Sequence, residues 1–181
     1  MTRPYPGAAA VLAAFLLNMP ACKPDVHLAD TIEEAPRLAS TVRMGDSTMA
    51  SQLAGGFYGI EANAWRWTMQ KFAVNLRPPA HSAQQGAVLE LRLTVPRTNI
   101  DKLGSMTLSA ALGGTALAPE TYSKAGDYTY RREVPANLLA GDAVRIDFQL
   151  DKAMPPGDGG KGDVDQRQLG IVATSVRLLS R

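Results

Sequence analysis

Apolar and polar residues alternate along most of the chain after residue 50, with the period of two that is typical of half-buried β-strands. The clearest case is residues 144–150, where Arg145, Asp147 and Gln149 separate four apolar residues. Similar alternation occurs at residues 72–76, 89–95, 106–112 and 128–134. A strand with one apolar and one polar face packs on one side only, so the pattern predicts antiparallel sheets.

Turn-forming residues separate these alternating segments. Gly113–Gly114 lies between two of them and predicts a β-hairpin, and Pro155–Pro156–Gly157 marks a later loop. The chain offers seven or eight strands at this spacing and no long helix after residue 50. We therefore expect an all-β fold, an antiparallel two-sheet sandwich such as a jelly roll.

Two segments support more detailed expectations about strand faces. Trp65, Trp67 and Met69 have one parity, and the apolar residues at 72, 74 and 76 have the other. A single continuous strand would then need a bulge or a corner near Gln70–Lys71. The last alternating run predicts one face made of residues 172, 174, 176 and 178 and an opposite face that includes residues 171 and 173.

The first 22 residues differ from the rest and predict an export signal. Arg3 is followed by the apolar run Ala8–Leu17, which fits a signal peptide and is too short to span a bilayer, since spanning needs about 20 residues. Met19–Cys22 resembles a bacterial lipobox, which predicts a signal peptide over residues 1–21 and a lipid on Cys22. Ordinary secretion and a retained anchor remain open alternatives.

Cys22 is the only cysteine in the chain. It cannot form an internal disulfide, so lipidation would explain its presence in an exported protein. A diacylglycerol together with an amide-linked chain such as palmitate would hold the protein on a membrane more firmly than one chain. The residue after it is Lys23. By resemblance to Gram-negative lipoproteins, the absence of Asp there favours the outer membrane.

Residues 22–50 are polar, contain Pro24 and Pro36, and show no sustained period of either kind. They predict a flexible tether that lets the domain stand off the membrane. The expected organisation is therefore a signal peptide at 1–21, a lipid-anchored tether at 22–50 and a β-sandwich at 51–181. The expected location is the cell envelope, as an outer-membrane lipoprotein or as a periplasmic or secreted protein.

Charge adds little to this picture. The 181 residues carry a net charge of +2, and 20% of them are charged, without a long block of one sign. Because nucleic-acid binding domains usually concentrate Lys and Arg in a patch or stripe, we expect no nucleic-acid partner.

A catalytic role is not expected. Gly45–Asp46–Ser47 matches the GDS block of one esterase and lipase class, but that chemistry needs a histidine near the C-terminus to take the serine proton. The only histidines are His27 and His81, and none follows residue 81. We therefore predict that the protein is not an enzyme and has no catalytic residues.

Metal and cofactor sites are not expected either. His27 and His81 cannot form a metal site by themselves, and we interpret both as solvated loop residues. The loop at residues 155–165 carries Asp158, Asp163 and Asp165 among glycines, which leaves a calcium site or a mobile loop open. Its spacing matches no EF-hand, so we predict no metal and no cofactor.

Four residues are candidates for ligand binding: Tyr58, Trp65, Trp67 and Arg167. Trp65 and Trp67 are two apart on a predicted strand and point the same way, so their rings could form a flat platform that stacks against a sugar. Packing into the core is the more usual role of such rings, and Tyr58, like Tyr128 and Tyr130, is open to both interpretations. Asp165 and Arg167 could form a bidentate pair that closes the last strand or line the rim of a site.

Two segments of the sequence resemble a known β-sandwich module. They are residues 56–61 with 65–68, read as Gly-Phe-Tyr-Gly-Ile-Glu and Trp-Arg-Trp-Thr, and residues 165–171, Asp-Gln-Arg-Gln-Leu-Gly-Ile. Together they resemble a module found in bacterial envelope proteins and beside surface-glycan enzymes such as glycosyltransferases. The resemblance covers about residues 54–180 and implies a galactose-binding-like or jelly-roll topology.

These observations predict a non-catalytic binding module, anchored in the cell envelope through Cys22, whose partner is a saccharide or an envelope glycan. The alternative is a structural or assembly lipoprotein that docks onto an envelope protein. The membrane would be a partner through the lipid in both cases.

Overall fold

A computed structural model of the chain describes residues 38–157 and 165–181. Within these residues every strand pairing is antiparallel. The two α-helices of this part are short, α1 (Ser82–Gln85) and α2 (Arg97–Leu103), and 3₁₀ helices lie at Ser47–Gln52 and Ala136–Leu138. The described strands are β1 (Thr41–Arg43), β2 (Leu53–Phe57), β3 (Arg66–Leu76), β4 (Ala87–Val95), β5 (Met106–Leu112), β6 (Thr115–Tyr122), β7 (Gly126–Val134), β8 (Val144–Leu150) and β9 (Val172–Ser180).

The strands form two sheets that share β3. Sheet I has the order β6-β5-β8-β3, and β2 also pairs with β3. Sheet II has the order β3-β9-β4-β7, and β1 also pairs with β9. The buried faces of the two sheets form one hydrophobic core. The predicted fold class, an antiparallel two-sheet sandwich, is confirmed.

Strand β3 passes from one sheet to the other. Its first two residues, Arg66 and Trp67, pair with β9, and Lys71–Leu76 pair with β8. The expected corner near Gln70–Lys71 is therefore present. The alternation itself continues through it, because Thr68 and Phe72 are both buried whereas Met69 and Lys71 are exposed. Trp65 and Trp67 thus have the parity of the outer face.

The alternation of β8 predicts its packing well. All four of its apolar residues are buried, and its three polar residues are exposed. Phe148 stacks on Phe72 of β3 with ring centroids 4.9 Å apart. Burial of a side chain of this size contributes about 1.5–3 kcal/mol, so the facing apolar stripes stabilise the packing of the two sheets. Strand β5 shows the same alternation and ends in the predicted hairpin at Gly113–Gly114.

The expected faces of β9 are wrong in its first half. Ile171 and Ala173 are buried, whereas Val172 and Thr174 are half-buried; beyond them, Val176 is buried again. Arg92 of β4 pairs with Ser175 and Leu93 pairs with Ala173, so Thr174 is an extra residue without a partner in β4. Such a β-bulge shifts the alternation by one residue, which the apolar pattern alone did not reveal.

The boundary expected at residue 50 is also wrong. Strand β1 pairs with β9, Val42 and Met44 are buried, and the Met44 backbone N–H donates to the Thr174 carbonyl at 2.9 Å. The buried Gln52 amide bonds both backbone groups of Ala39. The sandwich therefore includes residues from about 39 onward. The rest of the expected tether, Cys22 and the signal peptide lie outside the described residues. No helix in the described part is long and apolar enough to cross a membrane.

Candidate functional site

The hairpin between β2 and β3 brings three of the four candidate residues together. The Tyr58 backbone N–H donates to the Trp67 carbonyl at 3.0 Å, and the Glu61 N–H donates to the Trp65 carbonyl at 2.9 Å. Residues that face each other across an antiparallel pair project to the same side. Tyr58, Glu61, Trp65 and Trp67 therefore lie on one outer face of the hairpin. Its loop turns through Asn63, whose φ of 53° is left-handed, a conformation that Asn tolerates well.

Arg66 lies between the two tryptophans and points away from them. Its Nε donates to the Met44 carbonyl at 3.0 Å, and its Nη1 donates to the Tyr58 carbonyl at 2.9 Å. Arginine side chains are mostly exposed in proteins, but this one is half-buried. Arg66 therefore holds the hairpin against the end of β1.

The two indole rings do not form the flat platform expected from their spacing. Their centroids are 6.1 Å apart and their planes meet at 83°, an edge-to-face contact, and both rings are half-buried. Same-face residues two apart on a strand are separated by about 6.8 Å, which is too far for parallel stacking but suits the edge-to-face geometry that aromatic quadrupoles favour. The rings thus form a corner with two differently oriented walls.

Arg167 joins this hairpin from the segment before β9. Its guanidinium makes the expected bidentate pair with Asp165, with Nε to Oδ1 at 2.9 Å and Nη2 to Oδ2 at 2.8 Å. Nη1 donates to Glu61 Oε1 at 2.8 Å, and the guanidinium carbon lies 5.1 Å from the Tyr58 ring centroid. Hydrogen bonds to Asp165 and then to Glu61 raise the pKa of Arg167, and the Arg167 hydrogen bond lowers the pKa of Asp165.

All four candidates therefore belong to one group, which we call the aromatic cluster: Tyr58, Glu61, Trp65, Trp67, Asp165 and Arg167. Several of its hydrogen-bonding groups have no protein partner among the described residues. They are the Tyr58 hydroxyl, the two indole N–H groups and Glu61 Oε2. A half-exposed corner of aromatic rings can pack against the apolar face of a ligand ring. The hydrogen-bonding groups beside the corner can then bond the hydroxyl groups of that ligand.

A cleft lies further along the outer face of β3. It has a volume of about 450 Å³ and is lined by small residues, among them Gly55 and Ala73, with Lys71, Asp147 and Gln149 at its polar positions. Lys71 has the same parity as Trp67 and follows it by four residues, about 13 Å along an extended strand. The alternation in residues 144–150 predicted the polar face that carries Asp147 and Gln149. The cleft itself depends on Gly55 and Ala73, which face each other across β2 and β3.

A second charged group, on sheet II, was not predicted from the sequence. Glu90 belongs to the polar face of β4, yet its side chain is only 4% exposed, because arginines from β4, β7 and β9 cover it. Arg131 and Arg177 are its direct cross-strand neighbours. Glu90 and Arg92 on one strand face were visible in the sequence, but the other two arginines required the register of β4 with β7 and β9.

The remaining sequence candidates do not form a site in the described residues. Tyr130 is buried and donates its hydroxyl to the Ala118 carbonyl, so it belongs to the core. Asp46 of the GDS block caps the 3₁₀ helix by accepting from the Thr48 N–H at 2.9 Å. No group of three metal-ligating side chains occurs in residues 38–157 and 165–181. His27 and residues 158–164 of the candidate calcium loop lie outside the described residues.

No protein-family model and no curated protein matches the sequence. Similar solved structures include carbohydrate-binding modules. TmCBM27, described for specific mannan recognition, is 14% identical with a TM-score of 0.46 over 80% of this chain and 97% of that chain. The CBM36-1 domain of a xylanase from the hindgut metagenome of Trinervitermes trinervoides is 12% identical, with a TM-score of 0.39 over 78% and 96%. CBM36 in complex with calcium and xylotriose is 9% identical, with a TM-score of 0.39 over 76% and 98%. At such scores the likeness is distant.

Proposed function

We propose that the protein is a non-catalytic binding module that holds a saccharide against the aromatic cluster. The observation that supports this is the corner formed by Trp65 and Trp67, with the Tyr58 hydroxyl and Glu61 Oε2 beside it and without partners among the described residues. A pyranose ring has an apolar face and a rim of hydroxyl groups. The indole faces suit the first, and the carboxylate oxygen and the hydroxyl suit the second.

The charged members of the cluster keep this corner in place. Arg167 engages Asp165 and Glu61 at once and covers Tyr58, so it connects two segments that are 106 residues apart in sequence. The Arg167 hydrogen bonds lower the pKa of Asp165. Arg167 contacts one Glu61 oxygen, so the other Glu61 oxygen can accept from a saccharide hydroxyl.

Calorimetric titration against the glycans selected by an array tests this proposal. Trp65→Ala and Trp67→Ala should each weaken binding at least tenfold, since truncation of a central aromatic contact typically costs about 2 kcal/mol. Trp65→Phe and Trp67→Phe should retain part of the affinity, because a smaller aromatic face remains. Unchanged affinity in both alanine variants, with unfolding temperatures close to wild type, would contradict the proposal.

A protein-docking role is the second candidate, and Met69 favours it. Among the described residues it is the large hydrophobic side chain that is exposed, at 37%, and it continues the face of Trp65 and Trp67 along β3. Docking predicts that Met69→Glu abolishes co-purification of one envelope protein while leaving glycan titrations unchanged. Saccharide binding predicts the reverse for Trp65→Ala.

Attachment to the envelope through a lipid on Cys22 is part of the same proposal. The lipobox-like Met19–Cys22 and the lone cysteine support it. Cells that express the full chain should incorporate radiolabelled palmitate into the protein, and Cys22→Ser should abolish the label and release the protein from membranes. Unchanged membrane fractionation of Cys22→Ser would overturn the lipid anchor without bearing on saccharide binding.

A further inference from the structure

On the outer face of sheet II, the arginines around the buried carboxylate of Glu90 carry more positive charge than is required to balance it. Glu90 accepts from Arg177 Nε at 2.9 Å, from Arg131 Nη1 at 3.1 Å and from Arg92 Nε at 3.2 Å, and Arg177 Nη2 makes a further contact. One bidentate arginine would balance this carboxylate. Three guanidinium groups around one carboxylate give this group of four side chains a net charge of +2.

A fourth arginine extends the positive face across β1. Arg43 pairs with Ser175 of β9, and Ser175 pairs with Arg92 of β4, so the three side chains lie in one row on the same side of the sheet. Because neighbouring strands are about 4.8 Å apart, Arg43 and Arg92 bracket the Ser175 hydroxyl across roughly 10 Å. Among the described residues no acceptor bonds the Arg43 guanidinium or the terminal nitrogens of Arg92. These nitrogens are donors available to a ligand.

Arg43, Arg92 and Arg177 line a groove of about 750 Å³, a volume within the range of small-molecule sites. Hydroxyl and amide groups from Thr41, Ser47, Ser175 and Asn63 also line it. Asp46 is its acidic member, but both Thr48 contacts engage one of its oxygens. Within the lining of the groove, three arginines stand against one carboxylate, Asp46. Charged and hydroxyl donors with a guanidinium fork suit carboxylate, sulfate or phosphate groups.

The groove also adjoins the aromatic cluster. Asn63 and Ala64 form part of its lining, and the next residue is Trp65. Gly45 lies tightly against this loop, since a Cβ at that position would be 2.4 Å from the Asn63 carbonyl oxygen. The same hairpin loop therefore borders the arginine groove on one side and carries the indole corner on the other.

We propose that the arginine groove binds the acidic groups of an anionic glycan, an inference that rests on the proposed saccharide binding and identifies the class of saccharide. Arg43 and Arg92 are the ligand-binding residues of the groove, and Arg131 and Arg177 fix Glu90, which orients Arg92. A glycan chain then contacts the indole corner with a sugar ring and the groove with a neighbouring carboxylate, sulfate or phosphate.

Matched polymers on one backbone test this inference with protein purified after expression of the full chain. The probes are dextran, carboxymethyl-dextran and dextran sulfate, together with the neutral and acidic glycans selected by the array, titrated at two salt concentrations. Arg43→Gln combined with Arg92→Gln should weaken binding of the acidic polymers at least tenfold and flatten its salt dependence. Arg97→Gln combined with Lys124→Gln removes the same charge elsewhere on the surface and should change binding less than twofold.

Each outcome has one meaning. Preferential binding of the acidic probes that is lost only in the Arg43 and Arg92 variant supports the inference. Equal losses in both double variants, equal binding of acidic and neutral glycans, or tighter binding of a duplex DNA oligomer than of dextran sulfate overturn it. In the same titrations, Trp65→Ala tests the proposed saccharide binding separately. If neutral glycans bind wild type and lose affinity in Trp65→Ala, saccharide binding is supported, even when the arginine variants bind like wild type.

Discussion

Replacement of Glu90 by Gln removes the charge on which three arginines converge. The substitution keeps the volume of the side chain and one carbonyl acceptor, so packing of β4 between β7 and β9 should stay intact. It leaves Arg92, Arg131 and Arg177 facing one another without a counter-charge. The loss of stability therefore reports the electrostatic contribution of this group rather than a cavity.

The size of the stability loss in Glu90→Gln depends on how much water reaches the three arginines. Breaking a buried ion pair by removing one member costs about 3–5 kcal/mol. Here the carboxylate is 4% exposed, but the arginine side chains are 29% exposed for Arg177, 57% for Arg92 and 58% for Arg131. Water solvates those arginines after the substitution, so we expect a smaller loss of stability, about 2–3 kcal/mol. For a domain of this size the unfolding temperature should fall by roughly 6–12 °C.

The loss should depend on pH in a defined direction. Burial raises the pKa of Glu90, but hydrogen bonds from Arg177 and Arg92 lower it more, and it stays below its ordinary value of 4.5. A carboxyl group with a lowered pKa in the folded state contributes stability that is complete above its unfolded pKa and is lost as pH falls through its folded pKa. The difference between wild type and Glu90→Gln should be full at pH 7 and shrink below pH 4.5.

Urea unfolding followed by circular dichroism at pH 7 and at pH 3 measures both effects. Glu133→Gln is the matched control, since Glu133 pairs with Arg181 at the surface with side chains 73% and 48% exposed, and it should change stability by less than about 0.5 kcal/mol. A Glu90→Gln protein as stable as the Glu133→Gln control at pH 7 would refute the reasoning. So would a difference that stays the same at pH 3.

Two further predictions concern backbone approach and an unpaired hydroxyl. Gly56→Ala should cost more than about 2 kcal/mol, because φ is +78° and the new Cβ would lie 2.0 Å from the Lys71 carbonyl oxygen, whereas Gly59→Ala, with nothing within 4 Å, should be near neutral. A wild-type urea midpoint for Gly56→Ala would contradict the close approach of β2 to β3. Tyr122→Phe should leave stability unchanged or raise it by up to about 1 kcal/mol, because its buried hydroxyl has no partner among the described residues. Tyr130→Phe should lower stability by about 1 kcal/mol, because its hydroxyl bonds the Ala118 carbonyl at 2.9 Å; equal urea midpoints for the two variants would contradict this contrast.

Features set by one strand at a time could be predicted from the sequence. The faces of β5 and β8 follow from their alternation, and the hairpin at Gly113–Gly114 follows from residues that accept positive φ. The shared direction of Trp65 and Trp67 also follows from their spacing. Their edge-to-face contact does not, because ring orientation depends on side-chain torsions and on neighbours such as Tyr58.

Features that join distant segments could not be predicted in this way. The bulge at Thr174 can be recognised only once β9 is paired with β4. Strand β1 has only three residues, which are too few to show a periodic pattern. Glu90 lies 41 residues from Arg131 and 87 from Arg177, and Glu61 lies 106 from Arg167. Each of these contacts depends on a strand register or a chain approach that alternation does not encode.

The central claim, that the aromatic cluster contacts a saccharide, has a direct optical test. Trp65 and Trp67 are the only two tryptophans of the chain, so the whole indole emission comes from the cluster. Titration of the protein with a glycan that binds it in calorimetry should shift the emission and reduce quenching by acrylamide, with the same midpoint in both measurements. Calorimetric binding of that glycan without any change in emission or quenching would contradict the claim.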